Sequence, residues 1–109
     1  MIIGFMTAAV LVAAPNSHPV ACKEASPGLQ VQARISCAAA RHKAIESIGG
    51  KYLRVVSAEL EEESGRLVYS FDIARRGRTG VDEVQVDAHS GEVVSTKHES
   101  AKDEANEKD

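Results

Sequence analysis

The sequence is poor in aromatic side chains, which make up 4% of its 109 residues, with no Trp. The four are Phe5, Tyr52, Tyr69 and Phe71. So few rings leave little material for a deep, aromatic-lined ligand pocket. Cysteine is scarce too, at two residues, which excludes a disulfide-dense mini-protein. No excess of positive charge exists: 13 Lys and Arg stand against 16 Asp and Glu, for a net charge of −3. A dedicated nucleic-acid binder would show a basic face, so no nucleic-acid partner is expected. There is no phosphate loop or dinucleotide fingerprint, and Ser64, Ser70 and Ser90 lie in no nucleophile-elbow context. With no legible nucleophile–base pair, no enzyme activity and no cofactor are expected.

What is present divides the chain into parts. Residues 2–14, IIGFMTAAVLVAA, form an uncharged, apolar run. As a helix it would span about 20 Å, short of a ~30 Å bilayer core, so it reads as a signal-peptide apolar region. No Lys or Arg precedes it, and Pro15 and Pro19 fit poorly with cleavage after Ala14 or Ala21. The reading is a signal peptide over 1–21, an N-terminal arm over 22–34, and a periplasmic or secreted protein of the bacterial envelope. Two alternatives stay open: a buried helix of the domain, and a lipoprotein at Cys22, where Pro19-Val20-Ala21 precede the cysteine. Only lipidation would bring the chain to a membrane. At the far end, residues 98–109 hold five acidic and two basic side chains and no large apolar one. Such a stretch buries too little to offset its ordering entropy and is expected to be a disordered, charged tail. It accounts for the whole net charge.

The middle, 35–97, carries the fold. Ser36 followed by CAAARHKAIESI predicts a helix with Ser36 as its N-cap, and Gly49-Gly50 as its stop. Ala38, His42, Ile45 and Ile48 share one face by three- and four-residue steps. From Lys51 the period becomes two. Val56, Ala58 and Leu60 alternate with Ser57, Glu59 and Glu61, and the preceding Tyr52 to Val55 are out of phase, which predicts a bulge near Val55-Val56. Glu63-Ser64-Gly65 marks a turn. Leu67, Tyr69, Phe71 and Ile73 then form the clearest strand. Arg75, Arg76 and Arg78 sit in a basic loop with Gly77 and Gly80. Val84, Val86 and Ala88 alternate next, His89-Ser90-Gly91 turns the chain, and Val93-Val94 begin a short last strand. Connections this short favour antiparallel hairpins. The expected fold class is α+β, with one helix packed on a small antiparallel sheet of three to four strands in two layers.

These residues resemble a known family. VVSAELEEESGRLVYSFDI (Val55 to Ile73) followed by VQVDAHSGEVV (Val84 to Val94) is similar to the PepSY module. That pattern runs helix, acidic-ended strand, Gly turn, LVY-type strand, then a V-D-A-x-(T/S)-G-E-V hairpin. Here the hairpin is Val86-Asp87-Ala88-His89-Ser90-Gly91-Glu92-Val93. The resemblance covers 35–97. It implies a non-catalytic module that binds and restrains a peptidase, or regulates another partner protein. The alternative it leaves is a cell-envelope sensory or adaptor subunit working with a membrane sensor or redox protein.

Few side chains invite chemistry. Cys22 and Cys37 would close a loop of about 15 residues, a staple worth up to ~3 kcal/mol in the chain-entropy model. Lipidation would consume Cys22 instead, and a cut beyond it would leave Cys37 alone as a reactive thiol. His18 and Cys22 with Cys37 and His42 are zinc-ligand types, but cleavage after Ala21 removes His18, and no metal is expected. The bland reading packs His42 on the helix. Glu59, Glu61, Glu62 and Glu63 form no calcium loop and read as a solvated strand end, with Glu62 on the opposite face from the others. Asp87 is expected to hydrogen-bond its own turn. The partner surface expected on a sheet edge or polar face takes in Glu59, Glu61, Arg75 and Arg76.

Overall fold

The computed structural model describes residues 21–100, together with Gly4. Of the leader expected over 1–21 only Gly4 and Ala21 are described, and of the tail expected over 98–109 residues 101–109 lie outside the described residues.

The strand β1 (Lys23–Glu24) leads through a short 3-10 turn (Gln30–Gln32) to the helix α1 (Cys37–Ile48). Strands β2 (Leu53–Glu63), β3 (Arg66–Arg75), β4 (Val81–Asp87) and β5 (Val93–Glu99) follow. They form one five-stranded sheet in the order β1-β2-β3-β4-β5. β2 to β5 are an antiparallel meander, and β1 runs parallel to β2, Lys23 opposite Glu59 and Glu24 opposite Leu60. The α+β, two-layer class stands. The expectation of a purely antiparallel sheet of three to four strands is corrected to five strands in a mixed sheet. The fifth comes from the arm, whose Lys-Glu pair carries no alternation from which a strand is read.

α1 starts as expected: Ser36 Oγ accepts from the Ala39 amide at 3.1 Å. It ends at Gly49, in the left-handed region at φ 60, whose amide bonds Ile45 O. Its buried face is centred on Ala40 and Ala44, both fully buried, with Cys37, Ile45 and Ile48 partly buried beside them. The expected face was rotated: Ala38 and His42 are exposed, and His42 Nε2 lies 3.3 Å from Glu46 Oε2 on the outer side. The disulfide fixes the choice. Cys37 bonds Cys22 with Cα atoms 5.8 Å apart, so the face containing residue 37 turns inward and 40, 44 and 48 follow.

The two alanines let the helix lie close over the sheet's aromatic strand. Tyr69, Phe71, Ile73, Leu60, Val84 and Val86 are fully buried, and the Tyr69 and Phe71 rings lie 6.2 Å apart. The bulge falls where the phase break predicts, between Val55 and Ser57. It places Val55 in the core at 8% exposure and turns Val56 out at 45%, so Val56 is not the core residue its alternation suggested. β2 and β3 join through Ser64 (φ 52) and Gly65 (φ 78), the two positive-φ positions of a type I′ turn. β5 continues through His98 and Glu99, two residues into the stretch expected to be tail.

The arm is held at several points. The Ala25 amide bonds Leu60 O at 2.9 Å, and Leu29 is buried in the core. Gln30 Nε2 donates to Tyr69 Oη at 2.8 Å, and Tyr69 Oη donates to Ile35 O at 2.6 Å. No helix among the described residues is long and apolar enough to cross a membrane.

Candidate functional site

The residues expected to meet a partner do not form one patch. Glu59 and Glu61 lie on the sheet face opposite α1, in register with Ser70 and Val68 of β3. Ser70 Oγ donates to Glu61 Oε1 at 2.9 Å, Gln85 Nε2 donates to Ser70 Oγ at 3.1 Å, and Gln85 also bonds Glu63. Ser57 Oγ donates to Asp72 Oδ2 on the same face at 2.8 Å. This face is acidic. Burial pushes the Glu61 carboxyl above its ordinary value, with Glu59 and Glu63 adding to it against the Ser70 hydrogen bond. Burial also raises Glu83, with the charges of Glu99 and Asp72 behind it.

Arg75 belongs elsewhere. β3 runs further than its apolar alternation shows, so Arg75 continues the core-facing row of Phe71 and Ile73. Its Nε lies 3.1 Å from Asp82 Oδ2, and its Nη2 donates to Ile48 O at 3.0 Å, satisfying a carbonyl at the helix C-terminus. Asp82 also meets His98 Nδ1 at 2.9 Å. Burial pushes Asp82 up, but the bonds from His98 and Arg75 and the charges of Arg78 and Arg75 outweigh it, holding the carboxyl below its ordinary value. Arg75 therefore closes the core. Arg76 turns outward, with its guanidinium 5.4 Å from the Tyr52 ring centroid.

The hairpin after β4 is built for docking onto the helix side rather than for chemistry. Asp87 Oδ1 accepts from the His89 and Ser90 amides at 2.7 and 2.9 Å, the turn role expected of it, and these bonds hold its carboxyl below the ordinary value. Ala88 is fully buried, and its carbonyl accepts from the amides of Arg34 and Ile35. Gly91 is buried at φ 79, and a Cβ there would stand 3.6 Å from Ile35 Cδ1. A family scan matches residues 35–97, more than half of the chain, to the PepSY model, described as "Peptidase propeptide and YPEB domain". The chain belongs to the PepSY family. No curated protein and no solved structure matches it significantly. In this chain the PepSY hairpin residues Asp87, Ala88 and Gly91 are thus structural ones. PepSY is a propeptide and regulatory module family, consistent with a non-catalytic regulatory role for this chain.

β5, the sheet's last strand, has no strand on its outer side among the described residues. Its start is flanked by a cleft on each sheet face. One, about 490 Å³, lies between Lys43, Glu46 and Ser47 of α1 and Gly91, Glu92 and Val93. The other, about 280 Å³, is lined by Glu63, Ser64, Arg66, Val68, Gln85 and Val94. Val93 and Val94 are among the few exposed large apolar residues. The sequence marked this strand only as short, because its second half, Ser95 to Glu99, lacks apolar alternation.

Both cysteines are consumed in the disulfide, so the Cys22 sulfur is not free to carry a lipid or a metal. Among the described residues no group of three metal-ligating side chains converges.

Proposed function

We propose that this PepSY protein is an exported, non-catalytic module that inhibits or regulates a partner protein, a peptidase in the first instance, by adding an extended segment of that partner to β5. The observation that carries the reading is the first part of the β5 edge, from Val93, which no strand flanks among the described residues and which has a cleft on either face. A strand added there gains main-chain hydrogen bonds and drops alternate side chains beside Val93 and Val94, so it needs no deep aromatic pocket. The other edge suits this less well. β1 already pairs with Glu59 and Leu60, and the bulge at Val56 interrupts the ladder beyond. Export is supported by the apolar N-terminal run, and by a disulfide of the kind that persists in oxidising compartments.

The test is proteolysis by a panel of envelope metallopeptidases, with and without the oxidised chain. Amides of alternate residues in an antiparallel edge point outward. Of Ser95→Pro and Thr96→Pro, one variant therefore removes an outward amide and leaves the β4 ladder intact. That variant, folded by circular dichroism, is expected to lose inhibition. No inhibition by the parent chain across the panel would overturn the inhibitor reading.

A further inference from the structure

The corner where β2 begins and β3 ends holds a feature that neither the fold nor the β5 edge uses. Tyr52 is 70% exposed and has φ 59, a left-handed conformation that costs a bulky L-residue of order 1 kcal/mol or more. Lys51 separates it from Gly49-Gly50, so the positive φ falls on the tyrosine and not on a glycine. The Tyr52 carbonyl accepts from the Arg76 amide at 3.2 Å, and the Arg76 side chain lies against the ring. Tyr52, Leu53, Arg54, Ala74, Arg75 and Arg76 line an open cleft of about 410 Å³. Arg75 is committed to Asp82 and Ile48. Among the described residues, Arg54 and Arg76 form no ion pair. A strained aromatic shelf and two unneutralised guanidinium groups thus share one cleft.

We propose that this corner is a binding site for carboxylate side chains, and that its ligand is a short acidic segment of the partner protein. Guanidinium groups match carboxylates in a planar, two-point geometry, and the Tyr52 ring holds Arg76 over the cleft rather than letting it range through solvent. Two observations favour a peptide over a longer polyanion. Residues 53–55 of β2, ahead of the bulge at Val56, have no strand beside them on the outer edge among the described residues, so a segment of a few extended residues, shorter than the strand proposed for β5, finds main-chain partners there. Further along the same strand Glu59, Glu61, Glu62 and Glu63 turn the surface acidic, which repels a nucleic acid or an anionic bilayer and confines the anion to the corner. The assignment of the ligand to a partner rests on the proposed function, whereas the carboxylate chemistry does not.

The experiment uses the full chain with its disulfide formed and fluorescein-labelled octaglutamate as probe. Saturable binding is expected, weakening with salt. The Arg54→Gln/Arg76→Gln double variant is expected to bind about tenfold or more weakly, the loss of at least one charge-assisted contact. Tyr52→Gly separates function from fold: it relieves the strained backbone, so Tm should rise while affinity falls. Equal binding by the parent and the arginine variant would overturn the site. Tighter binding of inorganic phosphate or phosphatidylglycerol vesicles at the same residues would overturn the peptide assignment. A tenfold gain on deleting residues 101–109 would give the corner to the chain's own acidic end instead of a partner. If octaglutamate binds here but no peptidase is inhibited, the proposed function fails and the site stands. If inhibition survives Arg54→Gln/Arg76→Gln while octaglutamate binding is lost, the assignment of the ligand to the partner fails, and the carboxylate site and that function both stand.

Discussion

Asp82 occupies a core-facing position of β4 whose neighbours along the same face, Val84 and Val86, are fully buried. An acid is tolerated there because three neighbours converge on it: Arg75 at 3.1 Å, His98 at 2.9 Å, and the Arg78 charge. Arg75 in turn links Asp82 to the end of α1 through Ile48 O. A single carboxylate therefore ties β3, β4, β5 and the helix C-terminus together at one end of the core. Asp82→Ala removes the common acceptor and leaves Arg75 and His98 without it. Hydrogen bonds to charged groups contribute roughly 1.5–3 kcal/mol, and Arg75 and His98 are partly solvated, so a loss of about 1–3 kcal/mol is expected. Urea unfolding measures it. A change below about 0.5 kcal/mol, the range of ordinary surface substitutions, would show that water replaces the lost partner.

At the scale of elements, two tethers hold the sheet's ends. The first is the disulfide, which ties the residue before β1 to the first residue of α1 and turns Cys37 toward the core. Its sequence separation is 15, so Cys22→Ser/Cys37→Ser is expected to cost up to about 3 kcal/mol. Hydrogen exchange should show the loss first at the Ala25 amide, which bonds Leu60 O, while β3 and β4 stay protected. Uniform loss of protection would instead make the arm integral to the core. The second is the close approach of Gly80, at φ 78, to the end of β5: an added Cβ would collide with the backbone of Glu99 and lie 2.8 Å from Ser100 Cα. Gly80→Ala is expected to detach that end, lowering Tm and the exchange protection of β5 while leaving β2 and β3 unchanged.

The same elements show what the sequence carries and what it does not. β3 was legible because its alternating side chains face a core on one side only. The α1 N-cap was legible because Ser36 precedes an unbroken helix-forming run. The burial face of α1 was not, since Cys37-Ala40-Ala44-Ile48 and Ala38-His42-Ile45-Ile48 satisfy the same spacing, and the disulfide decides between them. β1 escaped because two charged residues in parallel pairing depend on a strand distant in sequence. At the candidate surfaces Glu59 and Glu61 were legible as an outward row. Arg75 was not, because membership of the core-facing row depends on how far β3 extends. Tyr52 escaped too, since nothing in its neighbours encodes a positive φ on a tyrosine.

For the whole molecule, charge is distributed by side, and that sets the pH dependence of stability. On the open face, burial raises the carboxyls of Glu61 and Glu83 above their ordinary value of 4.5. Where the pH lies between that value and the raised one, the folded state holds more protons than the unfolded chain. Stability from these two groups therefore increases as pH falls from neutrality, and the gain is complete below 4.5. Asp82 and Asp87 act with the opposite sign. Both carboxyls are held below their ordinary value of 3.8, so their contribution is present above it and disappears as pH falls through the lowered values. The combined contribution of these two pairs is therefore greatest between the ordinary values of 3.8 and 4.5, where the raised glutamates are still protonated in the folded state and the lowered aspartates are still ionised. Thermal unfolding from pH 3 to pH 8 measures the curve. Glu61→Gln/Glu83→Gln should flatten its neutral limb by raising Tm at pH 7, with little change near pH 4. Asp82→Asn should weaken the fall below pH 4 instead. A parent curve that rises steadily from pH 4 to pH 8 would mean that the open face is fully solvated in solution, and that its carboxylates exert no mutual strain on the fold.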